Sequence, residues 1–440
     1  MTDSAAETSP ASDESKAPGV ADAVHGTPPF PGPTAIEGPH PRSGRPATSA
    51  DDSVNATPWW SLHLLDNRFA SLHGFRVLAI VSVVQYHVTF IFLESGLAMS
   101  RDFVSASLRI SFGMDLFFLL SGFLIGSILL RSLDTTGGLD VGRFYLRRIF
   151  RTFPPYYVVL AYLALVTPLT PIQLRLLPFE VAYATNFVSQ TTTDVVMFWG
   201  WSLALEEQFY LCAPALFWVL HRLRSDSARV GFLVFLALGA LARRLWMLYR
   251  MGPWTDAALY TQLYFRTPTR YDAIVWGVLL ALVYQRRGAR IREILRAPAA
   301  RAAVAIPSLG LLTVVFTPDI FGRASTQLVH VLSWGTLTSF MYFGFVPLLL
   351  QGEGLIARFF SARSFRQVST LGYGVYLVHI PLAYRLLVPL TRGLLARGVP
   401  MVVAWPIGLA SLLFASLVLA YVLHVLVEKP AMRFRERLTR

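Results

Sequence analysis

The sequence predicts an all-α integral membrane protein with about ten transmembrane helices and a disordered N-terminal tail. Of its 440 residues, 54% are apolar and only 15% are charged, which excludes an ordinary soluble domain. The apolar residues form runs that approach the roughly 20 residues needed to cross a bilayer. The formal charge of +13 comes mostly from arginines between these runs, a pattern typical of membrane-protein loops rather than of nucleic-acid-binding proteins.

The N-terminal segment, residues 1–60, differs in composition from the rest of the chain. It is rich in Pro, Ser, Ala, Gly, Thr and Asp and has few large aliphatic residues, so it is predicted to be a disordered cytoplasmic tail. A transmembrane domain is expected over 61–437. The tail lacks the charge pattern of a signal peptide, so the first span is expected to direct insertion. Cys212 is the only cysteine, which excludes an internal disulfide or a thiolate cluster; no metal site is predicted.

Loop charge gives the number and direction of the spans. About 22 basic residues lie in one set of loops and about eight in the alternating set, a positive-inside signal. The alternation of basic and less basic loops holds only if residues 172–190 do not cross the membrane, so this stretch is expected to be interfacial or re-entrant. The alternative is a protein with eleven spans. Both termini are then cytoplasmic, in a multi-pass protein of the cell membrane. The ten helices are placed near 75–93, 110–130, 153–168, 205–222, 230–248, 270–285, 303–317, 328–350, 371–390 and 401–427.

The first span carries two ionisable residues, Arg76 and His87, eleven positions apart. Eleven helical residues turn almost a whole number of revolutions, so both side chains lie on one face, roughly 16 Å apart along the axis. An imidazole suits proton abstraction from a hydroxyl near neutral pH. The alternatives are a snorkelling anchor for Arg76 and a hydrogen bond to a neighbouring helix for His87.

A compact group of arginines follows the second span, in RFYLRRIFRTFPPYY. Arg148 and Arg151 are helical neighbours and Arg147 flanks them. Such a cluster suits a polyphosphate ligand through charge-assisted hydrogen bonds. Anchoring to lipid headgroups is the alternative.

Further charged residues lie near the outer helix ends. Glu206 and Glu207 begin the fourth span, where either a polar vestibule or the helix dipole would account for acidic residues. Asp115 is expected to pair with His87 or with an arginine of another span, within a segment whose Gly122 and Gly126 favour close packing. Two further candidates have structural alternatives: Arg270 and Asp272 as an ion pair, and His379 as support for the backbone freed by a following proline.

Taken in order, these motifs resemble the membrane acyltransferase-3 family, the multi-pass enzymes that O-acylate carbohydrates and some secondary metabolites. The resemblance covers about 70–437. Its motifs are the Arg76–His87 spacing, GMDLFFLLSGFLI, RFYLRRIFR, WSLALEEQFY, RTPTRYDAIVWG, LGYGVYLVHIPL and VEKP. The chain departs from the family in having His73 and Val77, where an aspartate and a glycine commonly flank the arginine.

The resemblance implies the roles of the candidate site. His87 is the expected catalytic histidine with Arg76 as its partner, and Glu206 and Glu207 match the acidic pair. No cofactor is expected; acyl-CoA, with acetyl the expected acyl group, is the donor, bound by the three-arginine cluster. The acceptor is a hydroxyl on an extracytoplasmic carbohydrate or glycosylated small molecule. Substrate-binding residues are expected at Asp115, Arg270, Asp272 and His379.

Two questions stay open at this level. His87 acts either as a general base or through a covalent acyl-histidine. The competing class is a proton-coupled transporter or flippase of a glycan or lipid-linked substrate, because buried ionisable groups also form proton relays.

Overall fold

The computed structural model describes residues 60–62, 64–110, 113–188, 191, 193–252, 254–317, 323–352 and 354–439. These residues belong to one structural unit, Ala50–Arg440. The tail predicted over 1–60 lies, except for Trp60, outside the described residues. The described chain contains helices, turns and connecting segments and no strand, which confirms the all-α prediction.

The helices of the described chain are numbered here in order. The first half contains α1 (Ala70–Glu94), α2 (Arg101–Arg109), α3 (Gly113–Thr136), α4 (Val141–Val166), α5 (Pro171–Val181), α6 (Thr185–Val188), α7 (Trp201–Arg222), α8 (Asp226–Arg250) and α9 (Asp256–Leu259). The second half contains α10 (Asp272–Ile294), α11 (Pro298–Phe316), α12 (Arg323–Leu332), α13 (Thr338–Leu350), α14 (Leu355–Phe360), α15 (Arg363–Leu382), α16 (Val388–Ala396), α17 (Met401–Leu423) and α18 (Lys429–Leu438). Short π-helical turns at 260–264, 333–337, 383–387 and 424–428 join several of them.

Nine helical segments of the described chain are long and apolar enough to cross a membrane, where the sequence predicted ten. The helix outside this set is α10, predicted near 270–285, because Asp272 and the arginines of its last turns reduce its apolar character. It is still central, with every residue from Asp272 to Leu282 buried. The stretch 172–190 forms only the 11-residue α5 and the 4-residue α6 in its described part, too short for a bilayer. This confirms that it is not a span.

Small residues allow α3 and α10 to cross closely. A Cβ atom on Gly122 would overlap the Ile274 carbonyl oxygen, and one on Gly277 would overlap the carbonyl of Leu119. Gly126 faces Ala281 one turn further along. Because backbone meets backbone, neither helix can yield by changing a rotamer. The predicted packing face of α3 is confirmed.

Replacing Gly122 by alanine should therefore weaken the fold. We expect a loss of about 1–3 kcal/mol, because the added methyl group forces the two backbones apart. Gly310→Ala is the matched control: Gly310 is a glycine within α11 with no atom within 4 Å of its added Cβ, so it should be neutral or stabilising. Thermal unfolding in detergent measures both. Equal melting temperatures for the two variants would contradict the close crossing.

The arginine-rich loops, such as 286–302, lie at one end of the helix bundle. At this end, which we call the basic end, α3 and α10 finish and α8 begins; Arg286 pairs there with Asp134 at 2.9 Å and with Asp226 at 3.4 Å. At the opposite end, α1 finishes; Tyr384 donates to Glu94 at 2.5 Å and Arg392 donates to the Ser95 carbonyl at 2.9 Å. These contacts give each site residue a position along the bundle.

Candidate active site

One face of α1 links the two ionisable residues that the sequence singled out. Between Arg76 and His87 that face presents Ala79, Ile80 and Val83, which line an enclosed cavity. Helices α3, α7 and α15 supply the other walls with Met114, Phe117, Phe118, Ser202, Leu203, Glu206, Tyr373 and Tyr376. The cavity measures about 20 Å³, room for roughly one water molecule. It therefore lies on the face of α1 between the two residues, although neither Arg76 nor His87 lines it.

His87 meets a second histidine from another helix. Its Nδ1 lies 3.0 Å from Nε2 of His379, which is fully buried on α15. Nδ1 of His379 lies 2.7 Å from the Tyr376 carbonyl oxygen, which can only accept a hydrogen bond. His379 therefore donates from Nδ1, so its Nε2 must accept from Nδ1 of a neutral His87. This chain of hydrogen bonds leaves the lone pair of His87 on Nε2.

A hydrogen-bonded tyrosine supports the second histidine. The Tyr376 hydroxyl donates to the Trp199 carbonyl at 2.7 Å and lies 2.5 Å from the Ser202 hydroxyl. These bonds tie α15 to the start of α7, and the Phe198 ring packs 6.3 Å from the His87 ring. Residues of α1, of α15 and at the start of α7 thereby hold the two histidines in place. Tyr376 received no predicted role beyond its place in a motif, although it lies one helical turn before His379.

At the basic-end side of the cavity, three arginines converge. Arg76 interacts electrostatically with Arg148 and Arg151. The Arg148 guanidinium lies 5.1 Å from the ring centre of Tyr210, and Arg151 also interacts with Glu428. Arg147 is exposed on α4. The structure thus joins the span arginine with the loop arginines, which the sequence could not place relative to each other.

The paired glutamates point to different surroundings. Glu206 accepts hydrogen bonds from Ser121 and Tyr210 and interacts with Arg76. Glu207 is hydrogen-bonded to Thr152 and faces tyrosines instead. An outer vestibule lined by both was expected, but Glu206 belongs with the arginines, where it offsets part of their charge. Tyr210, one turn after Glu206 on the same face, was missed and closes this network.

The charged residues of α3, α8 and α10 form two buried ion pairs. Arg270 pairs with Asp115 at 2.8 Å, and Arg244 pairs with Asp272 through two hydrogen bonds of 2.8–2.9 Å. The sequence offered an ion pair between Arg270 and Asp272, but each of them pairs with another residue instead. Asp115 pairs with an arginine from a distant part of the chain, one of the two partners expected for it. Arg244, Arg270 and Asp272 have no exposed surface. The predicted role of Asp115, Arg270 and Asp272 in substrate binding stays a prediction.

The described structure therefore brings together most of the predicted site. His87 and His379 are in contact, and Arg76, Arg148, Arg151 and Glu206 form a second group across the cavity. The ion pairs stand apart from both groups, whereas Glu207 borders the second group through its interactions with Arg148 and Glu206. In the described residues no three His, Cys, Asp or Glu side chains are grouped as metal ligands.

Sequence comparisons find known proteins that match most of this chain. A family model described as an acyltransferase domain matches residues 69–425. The peptidoglycan O-acetyltransferase OatA of Listeria monocytogenes is 27% identical over 335 residues, covering 71% of this chain and 49% of that protein. The O-acetyltransferase OatA of Staphylococcus aureus is 24% identical over 326 residues, covering 71% and 50%. The chain thus spans about half the length of these relatives. No solved structure gives a significant match.

Proposed function

This chain belongs to the membrane acyltransferase-3 family, and we propose that it transfers an acetyl group from cytoplasmic acetyl-CoA to a hydroxyl of an extracytoplasmic carbohydrate. One observation carries the proposal: His87, with its lone pair on Nε2, and a cluster of arginines lie at opposite ends of the face of α1 that lines a small cavity. The cluster suits a polyphosphate, and the histidine suits a proton acceptor.

The donor binds at the basic end in this proposal. Loop charge assigns that end to the cytoplasm, where acetyl-CoA is available. Arg148 and Arg151 bind the phosphates through charge-assisted hydrogen bonds, and Arg76 continues the positive surface into the span. The pantetheine arm then follows the face of Ala79 and Val83 towards His87. Since the cavity holds about 20 Å³, the lining side chains must move apart to admit the arm.

The chemical step uses the histidine pair. The acceptor hydroxyl loses its proton to Nε2 of His87 while its oxygen attacks the thioester carbonyl carbon. His379 fixes the tautomer by accepting from Nδ1 of His87, and it orients the ring. The tetrahedral intermediate then breaks its carbon–sulfur bond, and the departing thiolate takes the proton from His87. The products are the acetyl ester and CoA.

A covalent variant uses the same lone pair. Nε2 of His87 attacks the thioester carbonyl carbon, the carbon–sulfur bond breaks and CoA leaves as the thiolate; the acceptor hydroxyl then displaces the imidazole from the acyl group, and its proton neutralises the thiolate. Rapid quenching into neutral denaturant, with radiolabelled acetyl-CoA and without acceptor, separates the two routes, because an acyl-histidine hydrolyses in acid. Label retained on the protein and absent from a His87→Ala variant supports the covalent route.

The acceptor is proposed from the relatives. One of them is named a peptidoglycan O-acetyltransferase, so a cell-envelope glycan is the first candidate. Mass spectrometry of envelope glycans from a deletion strain should show the loss of one acetyl ester.

The decisive test uses purified protein in liposomes with acetyl-CoA on the side of the basic end. The expected result is release of free CoA together with an acetyl ester on a glycan outside. A transporter would instead move the glycan or protons without consuming acetyl-CoA. Glycan movement with no CoA release would overturn the acyltransferase proposal.

Replacing Arg148 by glutamine should raise the KM for acetyl-CoA about tenfold or more, because a charge-assisted phosphate contact contributes about 1.5–3 kcal/mol. The kcat should change little. Arg143→Gln is the control, since Arg143 is an exposed arginine in the first turn of the same helix. Steady-state kinetics in detergent measure both variants, and an equal rise in KM for the two would indicate a diffuse field rather than a site.

A further inference from the structure

A second, larger pocket lies at the opposite end of the bundle from the arginine cluster. It measures about 240 Å³ and is open to the surface, below the roughly 300–1,000 Å³ typical of drug-sized ligands. Its walls come from α6, from the outer part of α8 and from the segment 262–269. The polar side chains that line it include Asn186, Arg243, Gln262 and Arg266. A pocket of this size suits one sugar unit or one charged substituent.

The pocket presents two guanidinium groups that have no carboxylate partner among the described side chains. Arg243 is exposed on α8. Arg266 is held by the carbonyls of Thr261 and Asn186 at 3.2 and 3.1 Å, and burial lowers its pKa. Among the side chains that the structure describes, no carboxylate forms a salt bridge with either arginine. Holding an unneutralised charge in a partly buried place is costly, and a bound anion would offset that cost.

Two other deeply placed arginines show the contrast. Arg244, next to Arg243 on the same helix, and Arg270 both have a carboxylate at 2.8 Å. Arg244 and Arg270, which are fully enclosed, thus each have a carboxylate partner. Arg243 and Arg266, which face the open pocket, have none among the described side chains. This pattern is typical of a site that takes its anion from a ligand.

The walls of the pocket continue to the histidine pair. The Asn186 amide donates to the carbonyls of Trp201 and Phe265, each at 2.9 Å, and Trp201 begins the helix that carries Glu206. Tyr260, in the turn that also carries Gln262, is hydrogen-bonded to Tyr86 beside His87. A ligand in the pocket thus contacts the same segments that enclose the catalytic histidine.

We propose that Arg243 and Arg266 bind a carboxylate or phosphate group of the acceptor, so that the acceptor is an anionic glycan. The inference rests on the proposed acyltransferase function, because it concerns the substrate of that reaction. The bound anion holds the glycan by a charged substituent while a neighbouring hydroxyl reaches His87. A phospholipid headgroup offers the same chemistry and is the competing source of the anion.

Equilibrium binding without donor tests the inference separately from catalysis. The probes are cellobiouronic acid and cellobiose, which differ by a carboxylate, and glucose 6-phosphate with glucose. The protein is held in phosphatidylcholine nanodiscs. We expect at least one anionic probe to bind about tenfold more tightly than its neutral partner. Arg243→Gln should remove that preference, while Arg250→Gln, at an exposed arginine at the end of the same helix, should keep it. Arg266→Lys is the second variant, and it should weaken the preference.

Each outcome decides one question. Equal binding of charged and neutral probes, or a preference that survives Arg243→Gln, overturns the inference. A second set of nanodiscs contains phosphatidylglycerol: binding of that lipid that depends on Arg243, with no preference among the soluble probes, makes the pocket a headgroup site and also overturns it. If the anionic probes bind as expected but no glycan is ever acetylated, the proposed function fails and the anion site stands.

Discussion

Replacing His87 by alanine should reduce acetyl transfer by about a thousandfold, within the 10²–10⁴ range typical of a lost general base. The binding of acetyl-CoA should be unchanged, because the arginine cluster lies at the other end of the cavity. Coupled CoA release and equilibrium binding of a non-hydrolysable acetyl-CoA analogue give the two readouts. The control is His221→Ala, at an exposed histidine in the last turn of α7, which should stay within twofold of the parent protein.

The proposed mechanism also predicts an effect at His379, which would act on the reaction through its hydrogen bond to His87. His379→Leu removes the acceptor for Nδ1–H of His87, so the imidazole loses its fixed tautomer and orientation. We expect kcat to fall by about 10–100-fold with the KM for both substrates unchanged. His379→Gln offers a carbonyl oxygen in a similar position and should restore most of the activity. If the glutamine and leucine variants are equally impaired, the hydrogen bond is not the reason for the loss. Acetyl transfer by the His87→Ala variant at the rate of the parent protein would contradict the proposed role of His87.

Replacing Arg244 by leucine should destabilise the protein by about 3–5 kcal/mol, the usual result of removing one partner of a buried ion pair. All five N–H groups of Arg244 are used: Nε donates to the Val331 carbonyl, and the other bonds go to Thr269, Asp272 and Thr336. The guanidinium thus holds α8 against α10, α12 and the turn after α12. Lysine cannot replace this planar set of donors. Thermal unfolding in detergent measures the loss.

A double replacement separates the charge from the packing. Without Arg244, Asp272 is left as a buried, unpaired carboxylate, so Arg244→Leu combined with Asp272→Leu should recover much of the stability. Gly335 is adjacent: its φ is 85°, and a Cβ there would overlap the Asp272 carboxylate. The leucine of Asp272→Leu must fit beside this glycine, so a second double variant, Arg244→Leu with Asp272→Asn, is tested as well. If the single variant and both double variants lose the same stability, the ion pair stabilises the protein through its packing and not through its charges. Arg250→Leu, exposed on the same helix, should be neutral.

Several features could be predicted because they depend on local sequence. Long apolar runs had to become helices, and the glycines of α3 had to meet another backbone. The shared face of Arg76 and His87 follows from helix geometry. The short stretch 172–190 was separated from the spans by loop charge, and α5 and α6 confirm it. The helix predicted near 270–285 is present as α10, but its charges keep it out of the nine helices of the described chain that are long and apolar enough to cross a membrane.

The sequence by itself determined the membrane class, the order of the helices and which residue types lie on one face of one helix. Only the tertiary structure decided the partners: His87 with His379, Arg270 with Asp115, Arg244 with Asp272, and Glu206 with Ser121. The members of each pair are between 28 and 292 residues apart in the chain. Periodicity fixes the direction of a side chain about its own helix axis, whereas a partner depends on how helices pack, which is a property of the whole bundle.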